Sequence, residues 1–528
     1  MVVCLLLIFS SSVYGQIRTV SGVVTSNIDK SPVAEVDVRI KGSLEAVKTD
    51  EQGRYTIGVP ETSSKVLTFS HPDFDDEEVV LGGRTQLDME LTSGIRYNQY
   101  GMKVNRNPLT AEERDGVLVF ESADMDYKLW FDLRVQADGA VFFGETYNPI
   151  ANGVEMRRVR MAFKAELADN FEAEFDMDFA DALADLKDAY LLYKATPRLD
   201  IKAGNFKERF SMEQNTSSRW LTFMERPTAL RTIAPSRHLG LQFHYYRPYI
   251  LAVGGVHFQD VGDFEVVENR KDNYAAGNNE GYSFTGKITY IPFYNDWNKG
   301  LHFGIAGSYR TPKTHDVIDV VRYDARSNVN INRKKYIDTD RISNVADYTL
   351  ANFEVAGYYN NFKFASEYIL AQVNRFEEKI DGEKIGSLPS ENFSGFYVMA
   401  GAMLFGGDYI YNTYQGEFTQ PKIGRPWGDI EFAVRYDFSD FNSRMDGVMA
   451  GQGEGLTVGL NYYAPKNVKL MLNYGYLNFD RWANQRGRLF VGYDSDGNLT
   501  RDPRQVANPT GEAGENFHWL ALRIQVAF

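Results

Sequence analysis

Basic side chains that could contact an anion are concentrated in residues 206–237. This stretch holds six basic residues, Lys207, Arg209, Arg219, Arg226, Arg231 and Arg237, against three acidic ones, Glu208, Glu213 and Glu225. Its local charge of +3 contrasts with the formal net charge of −14 for the 528-residue chain. Guanidinium groups present donors in a fixed fork that fits oxyanions. We therefore interpret the stretch as a candidate anion-contact site. The alternative is that its arginines pair with carboxylates such as Asp176, Asp178 and Asp200.

A second charged pattern comes just before this stretch and alternates at period 2. Arg158, Arg160, Lys164 and Glu166 share one face of a candidate strand, and Glu172, Glu174, Asp176 and Asp178 share one face of the next. Adjacent basic and acidic rows could form a cross-strand salt-bridge lattice that stiffens the sheet. They could also set up a field across a pore that selects ions. Both interpretations stay open.

Catalytic and metal-binding patterns are not found in the sequence. The seven histidines show neither an HExxH motif nor another ligand spacing. The acidic run 73–78 lacks the order and the glycine of an EF-hand, so a solvated charge run is expected there. We predict no enzyme, no catalytic residue, no metal site and no cofactor. The net charge of −14 also argues against nucleic acid as a partner.

The elements that would position these charges are predicted to be membrane-spanning strands. Mean hydropathy is −0.38 and no run of about 18 apolar residues exists, which excludes a spanning helix. In residues 126–137, Tyr127, Leu129, Phe131, Leu133 and Val135 fall on one face while polar residues fall on the other. Similar segments of about 10 residues continue for about 400 residues, too far for one soluble sandwich. We predict an all-β fold whose residues 126–528 form a transmembrane antiparallel β-barrel of 16–18 strands.

The predicted connections between strands are of two kinds, as in outer-membrane barrels. Tight turns are expected at 169–170, 195–198, 247–248, 360–361 and 464–466, and long polar loops at 260–280, 311–347, 374–390 and 480–513. The short/long rhythm breaks between Phe405 and Tyr463, where the 440–453 connection is too long for a turn. One strand there is therefore misassigned. The chain ends on an apolar-faced strand with a terminal Phe528, which resembles the signal read by the barrel assembly machinery.

The N-terminus predicts export and a small domain ahead of the barrel. Residues 1–15 resemble a secretory signal peptide, and the single cysteine, Cys4, lies within it. Residues 17–92 combine short strand-like segments with a Thr-Asp-x-x-Gly-x-Tyr element at 49–55. They resemble the carboxypeptidase regulatory-like family, a β-sandwich, which we place in the periplasm as a docking module or a spacer. Residues 93–125 are expected to be a linker.

The barrel region resembles the phosphate-selective porin O and P family. The segments that carry the resemblance are 156–161, 187–190, 201–207, 216–220 and 224–226, and later 427–436 and 456–477. The resemblance implies a 16-stranded pore, a homotrimer and a constriction lined by basic residues. Just before 216–218, anion-selective members carry a lysine, whereas this chain has Gln214. Gln214 can donate a hydrogen bond but supplies no charge.

From these patterns we predict a pore constriction and a luminal wall. The constriction residues are Arg209, Gln214, Ser217, Ser218, Arg219, Arg226 and Arg231; the wall residues are Arg134, Arg158, Arg160, Lys164 and Lys202. A helical turn or two is expected within 217–230, with Ser217 or Ser218 as N-cap.

The predicted function is that of an outer-membrane porin in a Gram-negative bacterium. Small hydrophilic solutes would diffuse through it passively, with anions such as phosphate preferred. The expected partners are outer-membrane lipid, further copies of the chain, small anionic or polar solutes and a possible periplasmic partner of the N-terminal domain. An alternative is a non-conducting barrel that anchors long loops for adhesion or assembly. An energised transporter would need a plug domain and about 22 strands, whereas the sequence shows no plug and roughly 400 barrel residues, which argues against this class.

Overall fold

The computed structural model describes residues 17–61, 64–94, 96–104, 109–114, 116–180, 184–258, 279–315, 318–380, 382–444, 447–507 and 513–528. The predicted signal peptide with Cys4, and most of the predicted 260–280 loop, lie outside these residues. Among the residues that it describes, no helix is both long and apolar enough to span a membrane. The chain divides into two compact units between Leu109 and Thr110.

The N-terminal unit consists of short strands around one core. They are β1 Ile17–Ser26, β2 Asp37–Ile40, β3 Ala46–Lys48, β4 Arg54–Pro60, β5 Val66–His71, β6 Phe74–Val80, β7 Met89–Leu91, β8 Arg96–Tyr97 and β9 Lys103–Val104. One sheet has the order β4-β1-β7 and another the order β3-β2-β5-β6. Alternate residues such as Val20, Val38, Ile57 and Phe69 point inward and are buried in a shared hydrophobic cluster. The small N-terminal sheets expected from the sequence are therefore present.

The second unit contains the remaining strands and both helices. From β10 to the first helices these are β10 Leu109–Arg114, β11 Val117–Ser122, β12 Tyr127–Phe143, β13 Gly153–Leu167, β14 Phe171–Asp178, β15 Asp185–Thr196, β16 Leu199–Lys207, α1 Met212–Asn215 and α2 Thr228–Ile233. They continue with β17 Arg237–Arg247, β18 Ile250–His257, β19 Ser283–Tyr290, β20 Lys299–Arg310, β21 Lys313–His315, β22 Ile318–Val321, β23 Asp324–Arg326, β24 Lys335–Asp338, β25 Ile342–Ser343, β26 Val345–Tyr359 and β27 Phe362–Arg375. The last are β28 Glu378–Ile380, β29 Glu383–Ile385, β30 Leu388–Met403, β31 Tyr411–Asn412, β32 Glu417–Phe418, β33 Asp429–Asn442, β34 Met449–Tyr463, β35 Val468–Phe479, β36 Gly492–Tyr493, β37 Leu499–Thr500 and β38 Glu515–Ala527.

Sixteen of these strands close into an antiparallel barrel, which confirms the predicted fold. The ring runs β12 to β20, then β26, β27, β30, β33, β34, β35 and β38, and it closes where β38 pairs with β12. At the seam Arg134 lies opposite Ala527 and Phe143 opposite His518. β11 pairs with the first residues of β12, next to the end of β38. It therefore extends the sheet without adding a strand to the ring.

Strand alternation separates an apolar outer face from a polar lumen. Outward residues such as Val135, Phe175 and Leu522 are 39–45% exposed, whereas the inward Asn352 and Arg523 are fully buried. In a membrane barrel the outer face contacts lipid and the inner face lines the lumen. The apolar face predicted for the first barrel strand is therefore the outer one.

The connections at the two barrel ends differ in their usual length. Short turns at 168–170, 197–198, 248–249, 360–361 and 464–467 define what we call the short-turn end. The opposite, long-loop end carries the connections 208–236, 311–344 and 480–514, among others. The short-turn end also carries 291–298 and a 25-residue connection, 404–428. The 404–428 connection explains the broken rhythm, because 443–448 lies at the long-loop end and need not be a tight turn.

Tyr55 in the N-terminal unit provides a pH test of this packing. Its hydroxyl donates to the carbonyl oxygen of Leu87 at 2.8 Å, and burial raises the pKa of Tyr55 from 10.0 to about 12. The folded unit thus keeps a proton that the unfolded chain loses first. The free energy of unfolding of fragment 17–109 should fall between about pH 10 and pH 12, by up to about 3 kcal/mol. Denaturant titrations at each pH measure this. A Tyr55→Phe fragment with the same pH slope would contradict the assignment.

Candidate functional site

The connection 208–236 folds inward and fills part of the barrel lumen. Phe210, Met212, Phe223 and Leu230 are at most 2% exposed and belong to one hydrophobic cluster with residues of the wall. The α1 N-cap is Ser211, whose hydroxyl accepts from the Gln214 amide, and α2 follows Pro227. The predicted N-caps, Ser217 and Ser218, are therefore wrong. Ser218 instead accepts a hydrogen bond from Arg134 at 2.7 Å.

The inserted segment is fixed at its start by Glu208. This carboxylate is fully buried and accepts from Arg310 at 3.0 and 3.1 Å and from the Thr285 hydroxyl at 2.7 Å. His238 Nδ1 lies 2.7 Å from it. A buried carboxylate needs such partners because desolvation of an unpaired charge is costly.

Helix α1 is held against the wall by two carboxylates. The amide of Met212 donates to Glu354 at 2.9 Å, and that of Glu213 donates to Glu367 at 2.7 Å. The first amides of a helix have no partner within the helix, so acceptors from β26 and β27 complete them. The helix therefore sits at a fixed place in the lumen.

Four wall side chains bind the main chain of residues 221–225. Lys469 donates to the carbonyl of Leu221 and Asn461 to that of Thr222, both at 2.7 Å. Arg523 donates to the carbonyl of Met224 at 2.6 Å, and Arg435 to that of Glu225 at 2.7 Å. Since these donors come from β33, β34, β35 and β38, one side of the barrel is occupied by the segment.

The Glu225 side chain is paired with three arginines. It accepts from Arg157 at 2.7 and 3.1 Å and lies 3.3 Å from Arg523 and 3.7 Å from Arg231. Burial alone would raise the pKa of this carboxyl. The guanidinium groups of Arg157, Arg158 and Arg523 outweigh burial and hold that pKa well below its usual range.

A β-bulge brings Arg157 into this cluster. The β12–β13 register shifts at Gln136/Ala137, so that Arg157 is an extra residue. Arg157 reaches Glu225, while the neighbouring Arg158 donates to Gln136 at 2.8 Å. Strict alternation would have put the two arginines on opposite faces, which is why the sequence did not single out Arg157. Arg157 therefore holds the inserted segment against the wall, Arg158 contacts another wall residue, and neither of them lines the cavity described below.

Two other connections complete the filling of the lumen. From the long-loop end, Asn328 of the 311–344 connection contacts Thr228 at 3.0 Å and Asp437 at 3.2 Å. From the short-turn end, Gln415 of the 404–428 connection accepts from Arg209 at 2.7 Å. Tyr414, in that connection, donates to Asp200 of the wall. The lumen is thus narrowed from both ends.

A cavity of about 300 Å³ remains between the inserted segment and strands β12–β17. Eight basic residues line it: Arg134, Arg160, Lys164, Lys202, Lys207, Arg209, Arg219 and Arg237. Five acidic residues line it: Asp132, Glu174, Asp176, Asp188 and Glu417. The formal charge of the lining is therefore +3. The cavity lies to one side of the inserted segment, and its lining has an excess of basic residues.

Four of the eight basic residues that line the cavity form ion pairs with carboxylates. Arg160 pairs with Asp178 at 2.9 Å, Lys164 with Asp132 at 3.3 Å, and Arg237 donates to Asp188 at 2.9 Å. Arg219 contacts Asp132, and burial lowers the pKa of Arg219 to about 10, which leaves it protonated at neutral pH. The cross-strand lattice is therefore present. The carboxylates of Glu174, Asp176 and Asp188 lie within 4.8 Å of one another, among these same cations.

The other four lining cations, Arg134, Lys202, Lys207 and Arg209, have no carboxylate partner within 4 Å among the described residues. Lys202 lies over the Tyr190 ring at 3.9 Å. Lys207 donates to the carbonyls of Gln214, Asn215 and Thr216 at 3.0–3.4 Å. Arg134 and Arg209 make the neutral contacts given above. The formal charge of these four is therefore not balanced by a neighbouring carboxylate of the described residues.

The predicted site residues divide into those at the cavity and those away from it. At the cavity are Arg134, Arg160, Lys164, Lys202, Arg209, Ser217, Ser218 and Arg219. Arg158, Gln214, Arg226 and Arg231 are outside its lining. Arg226 instead donates to the carbonyl of Glu213 at 2.8 Å, and Arg231 to that of Ser327 at 3.1 Å.

Lys207 and Arg237 line the cavity; the sequence analysis placed both in the candidate anion-contact stretch but not among the constriction or wall residues. Strict alternation from Lys202 puts Lys207 on the outer face. Gly204 has a φ of +130°, and beyond it Asn205 and Phe206 are both 2% exposed, so alternation no longer holds. Glycine tolerates such a φ at no steric cost. Glycine within a strand was the available signal.

Comparison with known proteins adds the following. The model of the phosphate-selective porin O and P family matches residues 131–492. An uncharacterized protein of Caulobacter vibrioides is 27% identical over 337 residues, which are 62% of this chain and 63% of the relative. The chain thus spans less than two thirds of that relative's length.

Two solved structures are similar at low identity. The outer-membrane expressed OmpT of Vibrio cholerae is 10% identical, with a TM-score of 0.44 over 76% of this chain and 98% of that one. An anion-selective porin from Comamonas acidovorans is 10% identical, with a TM-score of 0.44 over 76% of this chain and 100% of that one.

Gly395 provides a test of how the inserted segment is seated. A Cβ at this position of β30 would overlap the Ala229 side chain of α2 and lie 2.5 Å from the Phe438 carbonyl oxygen. Gly395→Val should therefore destabilise the barrel by about 1–3 kcal/mol through overpacking. Unfolding of the detergent-solubilised protein in guanidinium measures this. The double variant Gly395→Val/Ala229→Gly should recover part of the loss. An unchanged midpoint for the single variant would show that α2 does not pack there.

Proposed function

Because the chain belongs to the phosphate-selective porin O and P family, we propose that it passes small hydrophilic solutes by passive diffusion and prefers anions. Membership of the family makes it an outer-membrane porin of a Gram-negative bacterium. The preference for anions rests on one observation above all. Arg134, Lys202, Lys207 and Arg209 line the cavity, and none of them has a carboxylate partner in the part of the chain that the structure describes.

The proposed mechanism is electrostatic attraction followed by partial replacement of water. A low-dielectric wall focuses the field of a lining whose formal charge is +3, which raises the local concentration of anions. Inside, the ammonium and guanidinium donors replace part of the hydration shell of the anion. No energy input is needed. The acidic character of the whole chain does not oppose this, because the field in the lumen depends on the residues that line it.

Phosphate is one of the anions that we propose. The family lysine is replaced by Gln214, but the Lys207 ammonium lies 3.1 Å from the Gln214 carbonyl oxygen and lines the cavity. We propose that Lys207 supplies the charge that Gln214 lacks. Ser217 and Ser218 add hydroxyl groups at the same wall.

The placement of the protein in the membrane is also part of the proposal. Short turns face the periplasm in outer-membrane barrels, and β12 begins at the short-turn end. We therefore place residues 17–92, with their resemblance to the carboxypeptidase regulatory-like family, in the periplasm, where they serve as a docking module or a spacer. A homotrimer, as the family resemblance implies, is the proposed assembly.

Reconstitution in planar bilayers tests the preference directly. Under a tenfold potassium chloride gradient, the reversal potential should have the sign of a chloride-selective channel, since the lining carries an excess of unpaired cations. A potential of the opposite sign would refute the anion preference and leave the pore intact. Absence of conductance by inserted protein would favour the anchoring alternative.

Lys202 should carry more of this preference than a basic residue away from the lumen. Lys202→Gln removes one of the four unpaired charges, and we expect the chloride-to-potassium permeability ratio to fall at least about twofold. The matched control is Lys41→Gln, an exposed lysine of the N-terminal unit, which should leave the ratio unchanged. Equal ratios for wild type and Lys202→Gln would remove Lys202 from the selectivity determinants.

A further inference from the structure

We propose that the cavity is built for a hydroxylated organic anion of about the size of a sugar acid, rather than for a bare inorganic anion. This inference rests on the proposed function, because it names the class of solute that the anion-preferring lumen accepts best. Three independent features of the cavity carry it: unsatisfied acceptors, unsatisfied donors and an aromatic surface.

The acceptors are carboxylate oxygens that no side chain satisfies. Asp176 is 5% exposed, and its Oδ1 has no hydrogen-bond partner among the described residues. Its other oxygen is 3.8 Å from Arg160. Glu417 is 7% exposed and also lines the cavity. Ionised carboxylates only accept hydrogen bonds, so they favour a solute that brings hydroxyl donors. Chloride and acetate bring none.

The second feature is a set of guanidinium nitrogens that lack a hydrogen-bond acceptor. The Nε atoms of Arg134 and Arg219 are buried and have no hydrogen-bond partner among the described residues. Both side chains line the cavity together with Lys202. A carboxylate or phosphate group on the solute would satisfy these donors. One solute that carries both an acidic group and hydroxyls would therefore complete both sets, which an inorganic halide cannot do.

Aromatic side chains supply the third feature. Trp220 lines the same cavity as the charged groups. Tyr190 and Phe206 also line it, but Lys202 lies over the Tyr190 ring and Phe206 is buried, so Trp220 supplies the aromatic surface. Aromatic faces bury apolar surface and are not needed to bind a fully hydrated inorganic ion. The carbon-bound hydrogens of a sugar ring offer such surface beside its hydroxyls. The cavity of about 300 Å³ equals roughly ten waters at ~30 Å³ each. It has room for one six-carbon acid.

The test is a comparison of solutes in bilayers that contain the full-length protein. Glucuronate should reduce the chloride current with a half-maximal concentration at least about tenfold below that of acetate, because leaving buried groups unpaired costs about that factor. Inorganic phosphate, which brings fewer hydroxyls, should lie between the two. Glucuronate acting no better than acetate, or less well than phosphate, would overturn the inference. A chloride reversal potential in that same experiment shows separately whether the anion preference itself holds.

Variants assign the effect to the named groups. Asp176→Ala removes the acceptor oxygens while Arg160 keeps its partner Asp178, so the glucuronate-to-acetate difference should shrink at least about threefold. Asp496→Ala, on an exposed loop, is the matched control and should change nothing. Trp220→Ala should weaken glucuronate alone, and Trp220→Phe should restore most of the effect. An undiminished difference in both Asp176→Ala and Trp220→Ala would contradict the proposed site.

Discussion

The buried Glu225 carboxylate and the arginines around it are the interaction on which the pore geometry depends. Arg157, Arg523 and Arg231 converge on one group that is 4% exposed. Removing one partner of such a buried network leaves an uncompensated charge and costs about 3–5 kcal/mol. Together with the hydrogen bonds of Arg435 and Arg523 to main-chain carbonyls, this network holds the inserted segment against one side of the barrel. The cavity therefore lies on the other side of the segment, against β12–β17.

The same constraint divides the basic residues of the lumen into two groups. Those that form an ion pair with a carboxylate, such as Arg160 and Arg237, stabilise the barrel wall. Those that contact only carbonyls, hydroxyls or rings, such as Lys202 and Lys207, have no carboxylate of the described residues to balance their formal charge. Counting basic residues along the chain therefore overstates the positive field. What matters is which cations have no anion within reach, and four of these line one cavity.

Much of the fold could be predicted from the sequence, but less of the site. Alternation and segment length predicted a barrel, and the structure has one of sixteen strands. The adjacent charged rows predicted the salt-bridge lattice between β13 and β14. The bulge that turns Arg157 inward and the change of face near Gly204 break period 2 locally, so no periodic reading could find them. The contacts of Gln415 and Arg523 with the inserted segment span 206 and 299 residues. Local sequence patterns cannot predict contacts between residues so far apart in the chain.

Anion positions in a crystal would test the central claim, that unpaired cations and not paired ones define the path of the solute. Crystals of the full-length protein soaked in bromide would give anomalous peaks at the anion sites. The account predicts peaks beside Lys202, Lys207, Arg209 or Arg134, and none beside Arg157 or Arg523, because Glu225 and Asp138 neutralise those two. Bromide beside Arg157 and Arg523, with an empty cavity, would contradict it.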